Sequence, residues 1–197
     1  MARVDPVGDA KRALRTQLIA VRARLAQDER IRWSRAIAAR LVELPQVRSA
    51  RTVALYAPLG TEVDALDLVP RLLERGARVL FPRAMPDRLL AFAPCTPAEL
   101  VRGPLGAREP PSSAPGVALA EIECVVMPGV AFSLDGLRLG RGGGYYDSTL
   151  KAMPRAARVG VAFEAQVVAA LPREPHDVTL DALVTEERLL HFQRELG

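Results

Sequence analysis

Apolar residues recur at helical spacing near the start of the chain. This spacing predicts a basic amphipathic helix over residues 9–25, with arginine and lysine on its other faces. A second helix is predicted over residues 28–44, with Asp28 as its cap and an end before Pro45. The apolar positions of the first helix are Leu14, Leu18, Val21 and Leu25. Those of the second are Ile31, Ile37, Leu41 and Leu44. We expect the two helices to pack as a hairpin.

The pattern then changes to short apolar runs rich in β-branched residues. Residues 52–57 predict a strand, residues 64–75 a helix and residues 77–81 a parallel strand, joined by a right-handed crossover. The inward positions of this helix are Leu66, Val69, Leu72 and Leu73. Further strands are predicted at 89–93, 124–127, 158–163 and 182–185. The order of elements predicts an α/β fold, a three-layer α/β/α arrangement with a mostly parallel, Rossmann-like sheet.

The middle of the chain follows neither period. Six prolines fall between positions 94 and 115, and so many prolines exclude a long helix. We expect this proline-rich stretch, which follows the strand predicted at 89–93, to form a loop on the sheet that serves as a lid or a pocket wall. No internal repeat or low-complexity linker interrupts the pattern, so residues 1–197 are predicted to form a single domain.

The densest group of glycine, charge and tyrosine lies at residues 127–150, between a predicted strand and a helix that begins at Tyr145. Gly142, Gly143 and Gly144 have no Cβ, so their backbone can bring successive N–H groups against one anion, with help from the dipole of the following helix. This chemistry predicts a phosphate-binding loop.

This loop matches neither common phosphate motif. A Walker A loop requires Gly-Lys followed by Ser or Thr, and in a dinucleotide-binding count from Gly140 the last glycine is replaced by Tyr145. A flexible turn is the alternative interpretation. Arg138 and Arg141 favour phosphate binding, and Asp147 adds a carboxylate suited to magnesium.

Charge and composition exclude several classes of protein. The chain has 27 basic and 23 acidic residues, a net charge of +4 spread along its length, and 5% aromatic residues, too few to suggest stacking platforms for nucleic acid. No apolar run is long enough to span a bilayer, and the first residues lack the apolar core of a signal peptide. We therefore expect a cytoplasmic monomer with no nucleic-acid or membrane partner. Cys95 and Cys124 lack metal-site spacing and are predicted to be buried free thiols.

The whole pattern resembles the 5-formyltetrahydrofolate cyclo-ligase family, also called 5,10-methenyltetrahydrofolate synthetases. The glycine-rich run P-G-V-A-F…D-G-L-R-L-G-R-G-G-G-Y-Y-D carries the strongest likeness. The other matching parts are Lys11 to Arg15, Leu55-Tyr56 through Asp64, and the C-terminal block that contains Arg158 to Phe163, Gln166, Pro172, His176-Asp177 and Asp181. Ser133 and Ser148 depart from the family pattern, and residues 86–120 match it poorly. In that segment Phe92 is a guess for the aromatic residue that stacks on the pterin.

The resemblance implies that ATP phosphorylates the formyl oxygen of 5-formyltetrahydrofolate, after which N10 attacks and 5,10-methenyltetrahydrofolate, ADP and phosphate are formed with the help of Mg²⁺. It implies catalytic roles for Arg141 and Tyr145. It implies ATP binding by Lys11, Arg12, Ala13, Leu14, Arg15, Gly140, Arg141, Gly142, Gly143, Gly144, Tyr145 and Tyr146. It implies substrate binding by Arg15, Glu62, Arg141, Gly142, Gly143, Gly144 and Tyr145. The implied magnesium ligands are Asp147 and Asp181.

Simpler interpretations stay open for several of these residues. Lys11 is equally explained by a solvated helix face, and Glu62 by a polar turn before a helix. Asp147 is also a suitable helix cap, and Asp181 flanks a strand. The only histidines are His176 and His191; a structural hydrogen bond explains the first, and a surface position or a C-terminal helix the second.

Two other functions are also open. One is a related ATP-dependent enzyme that acts on another formyl or carboxyl compound. The other is a basic nucleic-acid-binding module that uses four arginines of the first helix. Those arginines are Arg12, Arg15, Arg22 and Arg24.

Overall fold

The computed structural model describes residues 5–175 and 177–193, so His176 lies outside the described residues. The helices are α1 (Pro6–Ala23), α2 (Gln27–Glu43), α3 (Pro45–Arg48), α4 (Leu68–Glu74) and α5 (Tyr145–Leu150), with short 3-10 helices at Leu119–Glu121 and Glu164–Gln166. The strands are β1 (Thr52–Ala54), β2 (Arg78–Ala84), β3 (Leu90–Pro94), β4 (Val101–Arg102), β5 (Arg108–Glu109), β6 (Cys124–Met127), β7 (Ala131–Ser133), β8 (Arg138–Leu139), β9 (Ala157–Val161), β10 (Val167–Val168), β11 (Ala182–Val184) and β12 (Leu189–His191).

A seven-stranded sheet forms the centre of the molecule, in the order β12-β11-β9-β6-β1-β2-β3. Its five inner strands are parallel, and the two edge strands are antiparallel to their neighbours. From β1 the chain crosses to β2 on one side, whereas β6, β9 and β11 extend the sheet on the other. Such a change of direction opens a crevice beyond the carboxyl ends of β1 and β6.

Both faces of the sheet are buried, as the apolar strand sequences predict. Val53 and Val126 face the side that α2, α3 and α4 cover. Ala54, Val125 and Met127 face the side covered by α5 and by loops. The three-layer α/β/α prediction is confirmed, although one of the outer layers contains a single six-residue helix.

A second sheet of three strands, in the order β10-β7-β8, lies between β6 and the glycine-rich segment. Leu14 and Leu18 of α1 pack in one apolar cluster with its residues Ala131 and Leu139. The apolar face of α2 instead packs with α4 on the central sheet. The predicted hairpin of the first two helices is therefore wrong, because each helix buries its apolar face against a different sheet.

Several local predictions also need correction. Ala26, not Asp28, occupies the cap position of α2, because this helix begins at Gln27. Ile31 and Leu73 are exposed. His191 is exposed in the edge strand β12, so its predicted surface position is confirmed and the alternative of a C-terminal helix is wrong.

Candidate active site

A cavity of about 540 Å³ opens at the carboxyl ends of β1, β2 and β6. Tyr56 and Ala57 follow β1 into this cavity, and Pro128 and Gly129 follow β6. Residues 140–144, which we call the glycine loop, form one wall with α1. The opposite wall comes from the middle segment, as predicted. Its members are Arg88, Leu90, Leu105, Ala107, Arg108 and Glu109.

The glycine loop has a backbone shape that depends on glycine. Gly142 has a φ of 100° and Gly144 a φ of 73°, both in the left-handed region that other residues rarely adopt. Gly144 is also the residue that precedes α5. Arg15 of α1 donates a hydrogen bond of 2.9 Å from Nε to the carbonyl oxygen of Gly140, which fastens the loop to α1.

Two arginines of this region have different surroundings. Arg138 is buried, and its Nη1 and Nη2 donate hydrogen bonds of 3.2 Å to the carbonyl oxygen of Pro128 and to Oδ1 of Asp147. Its guanidinium carbon also lies 5.1 Å from the centre of the Tyr146 ring. Arg141, in contrast, has a side chain that is 53% exposed, so it is free to turn toward a bound anion.

Glu62 is the buried carboxylate of the cavity, at 9% exposure. Its Oε2 accepts a hydrogen bond of 3.0 Å from the N–H of Leu59, and its Oε1 lies 3.6 Å from Nη1 of Arg141. Burial raises the pKa of Glu62, and the Leu59 N–H and the charges of Arg22 and Arg141 offset part of this rise. Glu62 lies in a turn before α4, as the simpler interpretation has it, but its carboxylate is buried and lines the cavity.

Lys11 forms a buried ion cluster with two carboxylates from the C-terminal part of the chain. Its Nζ lies 2.7 Å from Oε2 of Glu174 and 2.7 Å from Oδ2 of Asp177. Burial alone lowers the pKa of Lys11, but the hydrogen bonds to Asp177 and Glu174 outweigh it and raise this pKa. All three side chains line the cavity, so Lys11 does not belong to a solvated helix face.

Most residues of the predicted site meet in this cavity, and four do not. Arg12 is exposed and pairs with Asp9, and Ala13 is exposed. Leu14 packs against the second sheet. These three positions lie on other faces of α1 than Lys11 and Arg15. The predicted residues that line the cavity are Lys11, Arg15, Glu62, Gly140, Arg141, Gly142, Gly143, Gly144, Tyr145, Tyr146 and Asp147.

Asp181 is the fourth predicted site residue that lies outside the cavity, so the prediction that it binds magnesium together with Asp147 is wrong. It precedes β11, and its Oδ2 accepts a hydrogen bond of 2.7 Å from the N–H of Arg158 near the start of β9. Because β9 and β11 are parallel, Asp181 lies at their amino ends, whereas the cavity lies at the carboxyl ends of the sheet. Asp147 lies in the first turn of α5 at the cavity. The structure therefore does not bring Asp147 and Asp181 together.

Phe92 does not line the cavity, because its side chain is 1% exposed and packs in the core. The aromatic residues that line the cavity are Tyr56, Tyr145 and Tyr146.

Sequence reasoning missed the carboxylates of Glu174 and Asp177 and the wall residues Arg88 and Leu105. The likeness around His176-Asp177 was the signal that pointed to the first pair. For the wall residues the sequence offered no signal beyond the proline-rich pattern.

Of the four arginines named for a nucleic-acid surface, Arg12 and Arg24 are exposed, whereas Arg15 and Arg22 are bound within the fold. Arg15 binds the glycine loop, and Arg22 is 3% exposed beneath the loops that follow β1 and β6. Arg12 is occupied by Asp9. Among residues 5–175 and 177–193, no helix is long and apolar enough to cross a membrane.

Comparison with known proteins shows which family this chain resembles. The 5-formyltetrahydrofolate cyclo-ligase family matches residues 7–186. The chain is 37% identical to the 5-formyltetrahydrofolate cyclo-ligase of Mycolicibacterium smegmatis over 71% of this chain and 76% of the relative. It is 33% identical to the enzyme of that name from Escherichia coli over 85% of this chain and 96% of the relative.

Solved structures agree with these sequence matches. The NMR structure of Aquifex aeolicus 5,10-methenyltetrahydrofolate synthetase superposes with a TM-score of 0.82 at 34% identity, over 95% of each chain. The synthetase of Mycoplasma pneumoniae gives a TM-score of 0.74 at 27% identity, over 89% of this chain and 98% of the other. The chain therefore belongs to the 5-formyltetrahydrofolate cyclo-ligase family.

Proposed function

We propose that this protein converts 5-formyltetrahydrofolate to 5,10-methenyltetrahydrofolate at the expense of ATP. The γ-phosphoryl group passes to the formyl oxygen and ADP is released. The lone pair of N10 then forms a bond to the formyl carbon, the carbon–oxygen bond breaks with phosphate as the leaving group, and the N10 proton is lost to water. Family membership supports the overall conversion, and the cavity supports the chemistry.

One observation carries the proposal. The glycine loop, with its backbone N–H donors, and the buried carboxylate of Glu62 line the same cavity, where Nη1 of Arg141 lies 3.6 Å from Oε1 of Glu62. A cavity with both features suits a reaction that joins an anionic phosphate donor to a polar heterocycle. Holding the two reactants side by side removes several kcal/mol, on the order of 7, from the barrier of such a transfer.

The phosphate side consists of backbone and arginine groups. The N–H groups of Gly142 to Gly144 and the guanidinium of Arg141 are the donors that stabilise charge on a transferring phosphoryl group, for which no covalent nucleophile is required. Arg15 holds the loop through Gly140. In this proposal the ammonium of Lys11 turns from its carboxylates toward the outer phosphates.

The cavity also suits magnesium. Mg²⁺ takes oxygen ligands, keeps several waters and needs one or two carboxylates beside the substrate phosphates. Asp147 meets this requirement at the glycine-loop side, and Asp177 provides a second carboxylate in the cavity lining. Within the described ranges no group of three or more ligand-type side chains exists, so the phosphates of ATP complete such a site. The bound ion supplies positive charge to the phosphate oxygens.

The folate side is assigned to Glu62 and its apolar neighbours. An ionised carboxylate is acceptor-only, so Glu62 suits the N–H donors of a reduced pterin. Leu59 and Leu90 also line the cavity and contribute apolar surface. Tyr145, half-buried at the start of α5, carries the aromatic ring that adjoins both the loop and the folate side.

The test uses purified protein with ATP, Mg²⁺ and 5-formyltetrahydrofolate. The methenyl product has a conjugated amidinium chromophore, so its absorbance and the release of ADP are expected to rise in equal amounts. Omission of ATP is the control. No methenyl chromophore with 5-formyltetrahydrofolate, together with ADP release that depends on another formyl or carboxyl compound, would favour the alternative of a related ATP-dependent enzyme.

A further inference from the structure

We propose that Arg22 is the positioning residue that holds the folate-binding side of the cavity in place. Arg22 lies in the last turn of α1 and is 3% exposed, yet it is not among the residues that line the cavity. A guanidinium at such burial requires partners for its donors, because an unpaired buried charge is strongly destabilising. Its partners define what it does.

The two hydrogen bonds of Arg22 reach the two loops that frame the crevice. Its Nε donates to Oγ1 of Thr61 at 3.1 Å, in the loop after β1. Its Nη1 donates to the carbonyl oxygen of Gly129 at 3.2 Å, in the loop after β6. These loops follow the two strands at which the sheet changes direction. One rigid guanidinium therefore fixes the distance between the two loops.

Thr61 directly precedes Glu62, so Arg22 also determines where the Glu62 carboxylate stands. The largest charge interaction of Arg22 is with Glu62, and that charge favours the ionised form of this buried acid. The other groups that act on or respond to Glu62 are Arg141 of the glycine loop, Tyr56 after β1 and Tyr146 of α5. The Leu59 N–H and the charges of Arg22 and Arg141 favour the ionised form of Glu62, and of the two arginines Arg141 is half-exposed and engaged with phosphate in the proposed reaction.

The carbonyl oxygen of Gly129 accepts a hydrogen bond from a second side chain, so the loop after β6 and the Thr61–Glu62 turn do not depend on Arg22 equally. Nε2 of Gln166 donates hydrogen bonds to the carbonyl oxygens of Gly129 at 2.9 Å and Val130 at 3.0 Å. The loop after β6 therefore keeps an anchor when Arg22 is replaced. The Thr61–Glu62 turn loses its link to α1, so the consequence of the change falls on Glu62.

The test compares Arg22→Gln, Arg22→Lys and Thr61→Val with the control Arg24→Gln, which alters an exposed arginine beside the end of the same helix. The role in folate binding rests on the function proposed above. The titration of Glu62, followed by carboxyl NMR in the ligand-free protein, does not depend on it. The two assays therefore fail separately: a wild-type protein that makes no methenyl product contradicts the proposed function alone.

Arg22→Gln is expected to raise the pKa of Glu62 and to move the acid limb of the folate kcat/KM profile to higher pH. We expect the folate KM to rise about 10-fold, as for the loss of one charged hydrogen bond, with the ATP KM unchanged. Arg22→Lys keeps the charge. Its acid limb is expected to lie at the wild-type pH, and its folate KM between the values of the wild type and Arg22→Gln. Thr61→Val keeps the guanidinium and is expected to raise the folate KM without moving the limb.

A purely structural Arg22 gives a different result. Arg22→Gln would then lower the melting temperature and leave the Glu62 titration and the folate KM at wild-type values, which overturns the proposal. If Arg22→Gln does not fold, Thr61→Val decides, because it is nearly isosteric at a half-buried position. A wild-type folate KM in Thr61→Val overturns the proposal in that case.

Discussion

The Nε of Arg15 donates a 2.9 Å hydrogen bond to the carbonyl oxygen of Gly140, 125 positions later in the chain. This bond joins α1 to the glycine loop at the point where the loop begins. The position of the loop N–H groups therefore depends on a side chain from a helix that packs on the second sheet and not on the central one.

Arg15→Ala is expected to raise the KM for ATP about 10-fold, because the loop loses a charged hydrogen bond that fixes its first residue. Steady-state kinetics with varied ATP measure the effect. Arg12→Ala is the matched control, since Arg12 is exposed on another face of the same helix. Equal KM values for ATP in Arg15→Ala and Arg12→Ala would show that the position of the glycine loop does not depend on Arg15.

Arg141→Ala is expected to lower kcat about 10- to 100-fold and to weaken folate binding less than that, because a cation near a loose phosphoryl transition state acts mainly there. Single-turnover measurements separate this step from product release. A variant with weaker ATP binding and wild-type kcat would contradict the assignment.

Gly144→Ala is expected to reduce activity, and Gly76→Ala is its control. The two glycines have φ values of 73° and 78°, and an added Cβ meets no atom within 4 Å at either position. Both variants are therefore expected to lose a similar 1–2 kcal/mol, roughly, of unfolding free energy from left-handed strain. Only Gly144→Ala is expected to weaken ATP binding. Equal activities in the two variants would show that the glycine loop has no role in ATP binding.

Lys11→Met is expected to lower the free energy of unfolding by about 2 kcal/mol at neutral pH, because Glu174 and Asp177 lose the ammonium between them. Since the folded-state pKa of Lys11 is raised above its ordinary value of 10.5, the stabilisation is fully present below pH 10.5 and is lost as the pH rises through the folded value. Urea unfolding from pH 7 to 11 measures this. The difference between the wild-type and variant curves is expected to stay constant up to pH 10.5 and to shrink above it, and Lys151→Met, at an exposed lysine, is expected to follow the wild type throughout. Parallel curves would refute the role of the cluster.

Asp147→Asn is expected to raise the magnesium concentration required for half-maximal activity, because Asp147 is a carboxylate of the cavity. Asp181→Asn is expected to keep the wild-type magnesium response and to lose about 1 kcal/mol of stability, since its carboxylate accepts the N–H of Arg158. Titration of activity against Mg²⁺ in both variants provides the comparison. A shifted response in Asp181→Asn would contradict the position that the structure gives this residue.

The sequence was sufficient for six of the seven strands of the central sheet, all but the edge strand β12, and for the backbone of the glycine loop. Buried parallel strands require apolar residues on both faces, and this requirement is visible in residues 124–127 without any knowledge of their neighbours. The glycines were equally informative, because Gly142 and Gly144 adopt backbone angles that few other residues tolerate. Both signals are local properties of the chain.

The errors concern partners that local properties do not specify. A helical period identifies the apolar face of α1 but not the sheet that buries it, so the helix hairpin was predicted instead of packing on β7 and β8. Asp177 and Asp181 belong to one matching block. The entry of the chain into β11 turns only Asp177 toward the cavity and leaves Asp181 at the amino ends of the strands.

The ion cluster of Lys11 has a consequence for biosynthesis. Its carboxylate partners lie 163 and 166 positions later, so α1 leaves the ribosome long before the residues that hold its ammonium exist. Domains fold as units during synthesis. The central sheet and the Lys11 cluster are therefore completed together and late, because Glu174, Asp177 and the inner strand β11 are all synthesised after the other inner strands.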